Sequence, residues 1–214
     1  MIVLGATVVG VQAGQPRDIL LGEKQVRTAF EKTAVNGPVR IAPDGIDGDA
    51  QVNRQIHGGP ERALCAYPAI HLVWWGDRWR RRLEPGAFAE NLTVVGLDER
   101  NTHIGDRFRF GSALLEVSQP REPCPQLAAR HAQPGLQDEI RRTGRTGWYL
   151  RVVEPGIASA GLPFVQELTD PRKITVAEAY RIRLDTRGPR EQVKRLLDVP
   201  GLSSGWRISL ERRL

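Results

Sequence analysis

Several things are scarce in this sequence. Two cysteines, Cys65 and Cys124, cannot build a disulfide framework in 214 residues, and a reducing compartment would leave both as thiols. Each is therefore judged singly. The four histidines are scattered, and neither C-x-x-C nor H-E-x-x-H occurs, which excludes a zinc site of the usual spacing. No apolar run reaches the ~18 residues of a membrane span, and the opening Met1 to Thr7 lacks the positive flank and length of a secretion signal. The expectation is a soluble, cytoplasmic protein.

What is present is ordinary globular usage. Hydrophobic residues make up 40% and charged residues 26%, which excludes a wholly disordered chain. Lys and Arg number 31 against 25 Asp and Glu, a formal excess of +6 that favours anionic ligands. The arginines fall in short groups along the whole chain, so charge alone does not separate nucleic acid from a phosphorylated small molecule.

Up to about residue 168 the sequence is short apolar stretches punctuated by Gly and Pro, the writing of a mainly β domain. Arg107 to Phe110 and Ala113 to Val117 alternate with period two, and Gly111-Ser112 between them suits a tight turn. Further strands are expected at 92–95, 148–153 and 164–168. Many short strands without a regular strand–helix alternation predict a β-barrel with peripheral helices. Helices are expected over 69–83, with Ile70, Val73, Trp74 and Trp79 inward, and over 126–143, broken at Pro134-Gly135. Both should pack outside the barrel.

From about residue 169 helical periods take over, dividing the chain into a barrel domain (1–168) and a three-helix extension (169–214). Thr175 to Glu178 reads as a capping box, Pro189 as the start of a second helix, and Ser203 or Ser204 as the cap of a last one through Trp206, Ile208 and Leu210. The extension has too few apolar residues for a core of its own, so it should dock on the barrel or on a second subunit.

Cys124 follows the clearest strand of the chain, in Ser118-Gln119-Pro120-Arg121-Glu122-Pro123-Cys124-Pro125, where three prolines stiffen the loop and hold the thiol in place. Arg121 could stabilise a thiolate, the form that attacks or binds soft metals. A small core filler is the competing reading, and local chemistry leaves both open. Cys65, within Ala63 to Tyr67, reads as core, and Asp44 to Asp49 reads as a turn. In Gln55 to Arg62, paired Gly58 and Gly59 would let backbone amides approach an anion while His57 and Arg62 add donors. Glu90 and Asn91 precede a strand, as pocket-lining or turn residues. Thr143 to Trp148, with Arg145, is either a phosphate-binding loop or a plain connection.

In this order, G-I-D-G-D (45–49), I-H-G-G-P-E-R-A-L-C-A-Y-P (56–68), F-A-E-N-L (88–92), I-G-D-R-F-R-F-G (104–111), S-Q-P-R-E-P-C (118–124) and T-G-R-T-G-W (143–148) resemble the MOSC family, named for the C-terminal domain of molybdenum cofactor sulfurases. The resemblance covers nearly the whole chain and is strongest to the stand-alone YiiM-like branch, which carries a three-helix extension. It implies a β-barrel associated with the molybdenum cofactor, molybdopterin with molybdenum. Cys124 would be the metal ligand and a catalytic residue, with His57 as substrate-orienting or proton-relaying partner. Gly58, Gly59, Arg62, Asn91, Arg121 and Arg145 would contact the cofactor.

The resemblance further implies reduction of N-hydroxylated compounds such as 6-hydroxylaminopurine, with electrons from a separate donor protein. Its alternative is a sulfur carrier with a persulfide on Cys124. Two positions depart from the branch's pattern: Gln126 replaces a frequent Lys, and Glu61 a frequent Asp. A nucleic-acid module built on residues 175–214 is the reading from another class, disfavoured because Trp206, Ile208 and Leu210 look like core. No membrane partner is expected, and homodimer formation is one role open to the extension.

Overall fold

The computed structural model describes residues 5–21, 24–50, 52 and 58–214. The strands are β1 (Ala6–Ala13), β2 (Arg17–Leu21), β3 (Lys24–Thr28), β4 (Thr33–Ala34), β5 (Val39–Ala42), β6 (Gly45–Ile46), β7 (Leu64–Pro68), β8 (Leu92–Val95), β9 (Arg107–Phe110), β10 (Ala113–Pro120), β11 (Trp148–Glu154), β12 (Gly156–Ala158) and β13 (Pro163–Leu168). The helices are α1 (Ala69–Trp79), α2 (Pro125–His131), α3 (Leu136–Thr143), α4 (Val176–Leu184), α5 (Arg190–Leu197) and α6 (Ser204–Glu211), with a 3-10 turn at Pro60–Arg62.

Among the described residues seven strands close a barrel in the order β13-β9-β10-β11-β7-β8-β1, and β1 pairs back onto β13. Alternation is what makes closure work. In β9, Phe108 and Phe110 are buried while Arg107 and Arg109 face outward, and Phe108 stacks on Phe164 of β13 at 4.5 Å. Such side chains each contribute roughly 1.5–3 kcal/mol on full burial. One pairing, β7 with β8, is parallel, and α1 lies in the connection between them. That is the link a parallel pair needs.

Outside the barrel a second apolar cluster joins Tyr67, Leu72, Trp75, Phe88, Leu127, Leu136 and Ile140, seating α1, α2 and α3 on the wall. Here the expected face of α1 is half right: Trp74 and Trp79 pack against this cluster, but Ile70 and Val73 do not. Its buried residues are His71, Leu72, Trp75 and Gly76, while Ile70 and Val73 are 60% and 58% exposed. The helix also stops at Trp79, short of Leu83, because Arg80 turns left-handed at φ 52°. The break between α2 and α3 falls at Ala132 to Gly135, as Pro134-Gly135 predicts.

In the extension, Thr175 Oγ1 accepts the amide of Glu178 at 3.0 Å, forming the expected N-cap. The apolar sides of α4, α5 and α6 do not make a core of their own: Val176, Tyr180, Leu196, Trp206 and Leu210 join the same buried cluster as Phe108, Val117 and Trp148 of the barrel. Ile208, read as core, is 52% exposed. Among the described residues no helix is long and apolar enough to cross a membrane.

Candidate active site

A cavity of ≈ 300 Å³ opens where β7 and β11 begin and β10 ends, and its wall is assembled from distant segments. Cys65 of β7 and Tyr149 of β11 are cross-strand partners, and Tyr149 is in turn opposite Gln119 of β10. Beyond β10 the chain leaves the sheet at Arg121, whose amide donates to Gly147 O at 3.1 Å, and Cys124 follows as the residue preceding α2. Arg121 and Cys124 both line the cavity. The prolines around them fix the path, so the thiol stands at the base of a helix on a stiff strand exit.

The charged lining is mixed but weighted to cations, with Arg27, Lys32, Arg62 and Arg121 against Asp49 and Glu122. Arg121 is 6% exposed and donates to Phe88 O at 2.5 Å. Burial works against its charge, yet Cys65, Tyr149, Cys124 and Glu90 around it hold its pKa above that of a free arginine. A guanidinium so placed stays charged at any working pH. Burial pushes the Cys65 thiol up, with Arg121 pulling the other way. The Tyr149 hydroxyl is pushed up to about 12, again mainly by burial and against Arg121. Tyr149 is therefore a neutral phenol in the wall.

Asn91 lines the cavity with every part of its amide committed. Its Oδ1 accepts Cys65 N at 3.0 Å, and its Nδ2 donates to Gln12 O at 3.2 Å and to Asp49 Oδ2 at 2.9 Å. It organises the wall and leaves no donor for a ligand. Glu90, one residue earlier, is fully buried and accepts from the amides of Gly86 and Phe88 and from Thr93 Oγ1, pinning the loop before β8.

Of the residues singled out by sequence, Cys124, Arg62, Asn91 and Arg121 meet at this cavity. Arg145 does not line it: its guanidinium lies over the Trp74 ring, 4.0 Å from the centroid. Gly58 and Gly59 are not among the lining residues, although Gly59 has the positive φ (88°) that favours glycine. His57 lies outside the described residues.

Sequence reasoning missed Lys32, Asp49 and Tyr149, and it read Cys65 as a plain core residue when it also lines the cavity. Lys32 and Asp49 form an ion pair with side chains only 8% and 3% exposed. Gln126, which carries no charge, accepts Thr28 Oγ1 at 3.3 Å across the cavity rim.

A model of the MOSC domain matches residues 53–165 of this sequence. The chain belongs to the MOSC family. Residues 174–214 match the YiiM-like, 3-alpha helix domain. YiiM of Escherichia coli (strain K12) is 36% identical over 208 residues, 92% of this chain and 92% of its own. The crystal structure of YiiM from Geobacillus stearothermophilus superposes with a TM-score of 0.84 at 33% identity, covering 98% of this chain and 99% of that one. A protein of Gibberella moniliformis named "Reductase" is 37% identical over 152 residues, 68% of this chain but 26% of the longer relative. The MOSC fold of this chain thus also occurs as a minor part of a larger redox-named protein.

Proposed function

We propose that the protein is a molybdenum-cofactor-dependent reductase of N-hydroxylated compounds, with 6-hydroxylaminopurine as a representative substrate. The observation that carries this reading is the half-buried Cys124 thiol sharing one cavity wall with the buried Arg121 guanidinium. The MOSC family membership and the reductase-named relative support a redox role.

The donor set fits the cofactor. A soft thiolate suits a thiophilic metal, and the surrounding cations suit an anionic pterin phosphate. Cys124 would hold the metal, while Arg62 would face the phosphate and Arg121 would balance negative charge beside the thiolate. When bound, the cofactor would supply a two-electron couple that can take an oxygen atom. The net reaction is R–NH–OH + 2e⁻ + 2H⁺ → R–NH₂ + H₂O, the electrons coming from a separate redox protein. The neutral phenol of Tyr149 offers a hydrogen-bond donor in the wall, and Asn91 keeps the Cys65 strand end from collapsing into the cavity.

Elemental and pterin analysis of protein made in cells that synthesise the cofactor tests this. The wild type should hold molybdenum and pterin, and Cys124→Ala should lose the metal. A metal-free wild type overturns the reading. One extra sulfur on Cys124 of that metal-free protein, cleared by a reductant, would put the sulfur carrier in its place.

A further inference from the structure

The C-terminal extension reaches the cavity through the first turn of α6. The Glu61 carboxylate sits at the start of that helix, accepting Ser204 N at 2.9 and 3.0 Å on its two oxygens and Ser204 Oγ at 2.5 Å. A carboxylate there also complements the helix dipole. Ser203 is 1% exposed, and its hydroxyl donates to Gln119 Oε1 at 2.7 Å while capping Trp206 N at 3.4 Å. The same Gln119 oxygen accepts Arg62 Nε at 3.3 Å. Arg62 also lies so close to α6 that a Cβ at Gly205 would stand 3.3 Å from its Nη2. Arg62 itself lines the cavity.

A long arginine side chain has many rotamers, and fixing one costs side-chain entropy unless the scaffold does it beforehand. Gln119 supplies part of that constraint through its hydrogen bond, and α6 stands close enough at Gly205 that an added Cβ would touch the guanidinium. The extension therefore appears in the wall of the cavity by proxy, although none of its residues lines it.

We infer that the three-helix extension is a working part of the anion site: through Ser203, by way of Gln119, it positions Arg62 to bind a phosphate-bearing ligand in the cavity. Ser203 is a positioning residue, and Gly205 keeps the space that the guanidinium needs. This requires the cavity to take an anion, and it does not require that anion to be the molybdenum cofactor.

The test is a double-mutant cycle on the full chain, read by calorimetric titration with inorganic pyrophosphate. Arg62→Ala should weaken binding about tenfold, the loss of one charge-assisted contact. Ser203→Ala should weaken it about three- to fivefold, Ser203→Thr should restore it, and Ser203→Ala should add nothing in the Arg62→Ala background. Loss of the helix cap will lower thermal stability equally in both backgrounds, so only the affinity cycle reads positioning. Gly205→Ala, which leaves the cap intact and crowds Arg62, gives the same answer if Ser203→Ala does not fold, and should weaken binding severalfold. Pyrophosphate affinity that is absent in the wild type, unmoved by either Ser203→Ala or Gly205→Ala, or lost additively overturns the inference. A molybdenum-free wild type that obeys the cycle would sink the reductase reading alone.

Discussion

Asp49 accepts the side-chain amide of Asn91 at 2.9 Å on one carboxylate oxygen, and its other oxygen takes the amide of Gly14 at 2.8 Å together with the Lys32 ammonium. Four segments far apart in sequence are tied at one buried carboxylate. Removing it leaves a buried cation and two amide donors, Gly14 N and one N–H of Asn91, without that acceptor. Asp49→Ala is expected to cost about 3–5 kcal/mol in equilibrium urea unfolding, and the double change Lys32→Met with Asp49→Leu to recover much of that loss. A single-variant cost under about 1 kcal/mol would show that the knot holds nothing.

Acid should loosen the helical cluster through His131. Its Nε2 lies 2.9 Å from Ala87 O and its Nδ1 2.7 Å from Arg81 Nη2, partners that assign the neutral ring with its proton on Nε2. Burial, chiefly, lowers its pKa from 6.5 to about 4, with Arg81 adding to the effect and the Ala87 carbonyl opposing it. Between those two values the unfolded chain binds the proton more readily than the native one, so stability falls as pH falls through the window and is level above it. The expected loss between pH 7 and pH 4 is on the order of 2 kcal/mol. His131→Gln, which keeps a donor for Ala87, should flatten that part of the pH profile, and an unchanged slope would assign the sensitivity elsewhere.

The two thiols should separate chemically. Cys65 is 5% exposed and burial raises its pKa, whereas Cys124 is half-buried. Alkylation of native protein at pH 7, followed by mass spectrometry of the peptides, should label Cys124 faster by about tenfold or more, since access and thiolate fraction both govern the rate. Equal rates, or Cys65 first, would contradict the burial assigned to β7.

The barrel was legible wherever one face of a strand is wet. Arg107 to Phe110 alternates cleanly because its arginines lie on the outer face, and the strand expected over 92–95 has the bounds observed. The inward face of α1 was only half legible, because Ile70 and Val73 are as apolar as Leu72. The choice falls to the direction in which β7 delivers the helix at Pro68, a tertiary matter.

The same holds for the site. Cys124 and Arg121 announce themselves through a rigid local sequence, but nothing near Lys32 foretells a partner 17 residues away. Cys65 looked like filler since its neighbours Leu64 and Ala66 are filler, and only the cross-strand register with Tyr149 turns it toward the cavity. Arg145, the cation of the other basic glycine-rich loop, stacks on the Trp74 ring outside this cavity, a placement that its local sequence does not foretell.

Pairing of β1 with β13, Ala6 opposite Phe164, makes the seam of the barrel the contact between residues nearly 160 positions apart. During synthesis β1 can pair with β4 and β8 early, but its edge at Ala6 and Thr7 stays open until β13 emerges. Loop-closure entropy on that scale makes assembly slow, and an open edge invites wrong partners. Recombinant yield should therefore respond to slower translation, lower temperature or added chaperone more than to changes at the cavity.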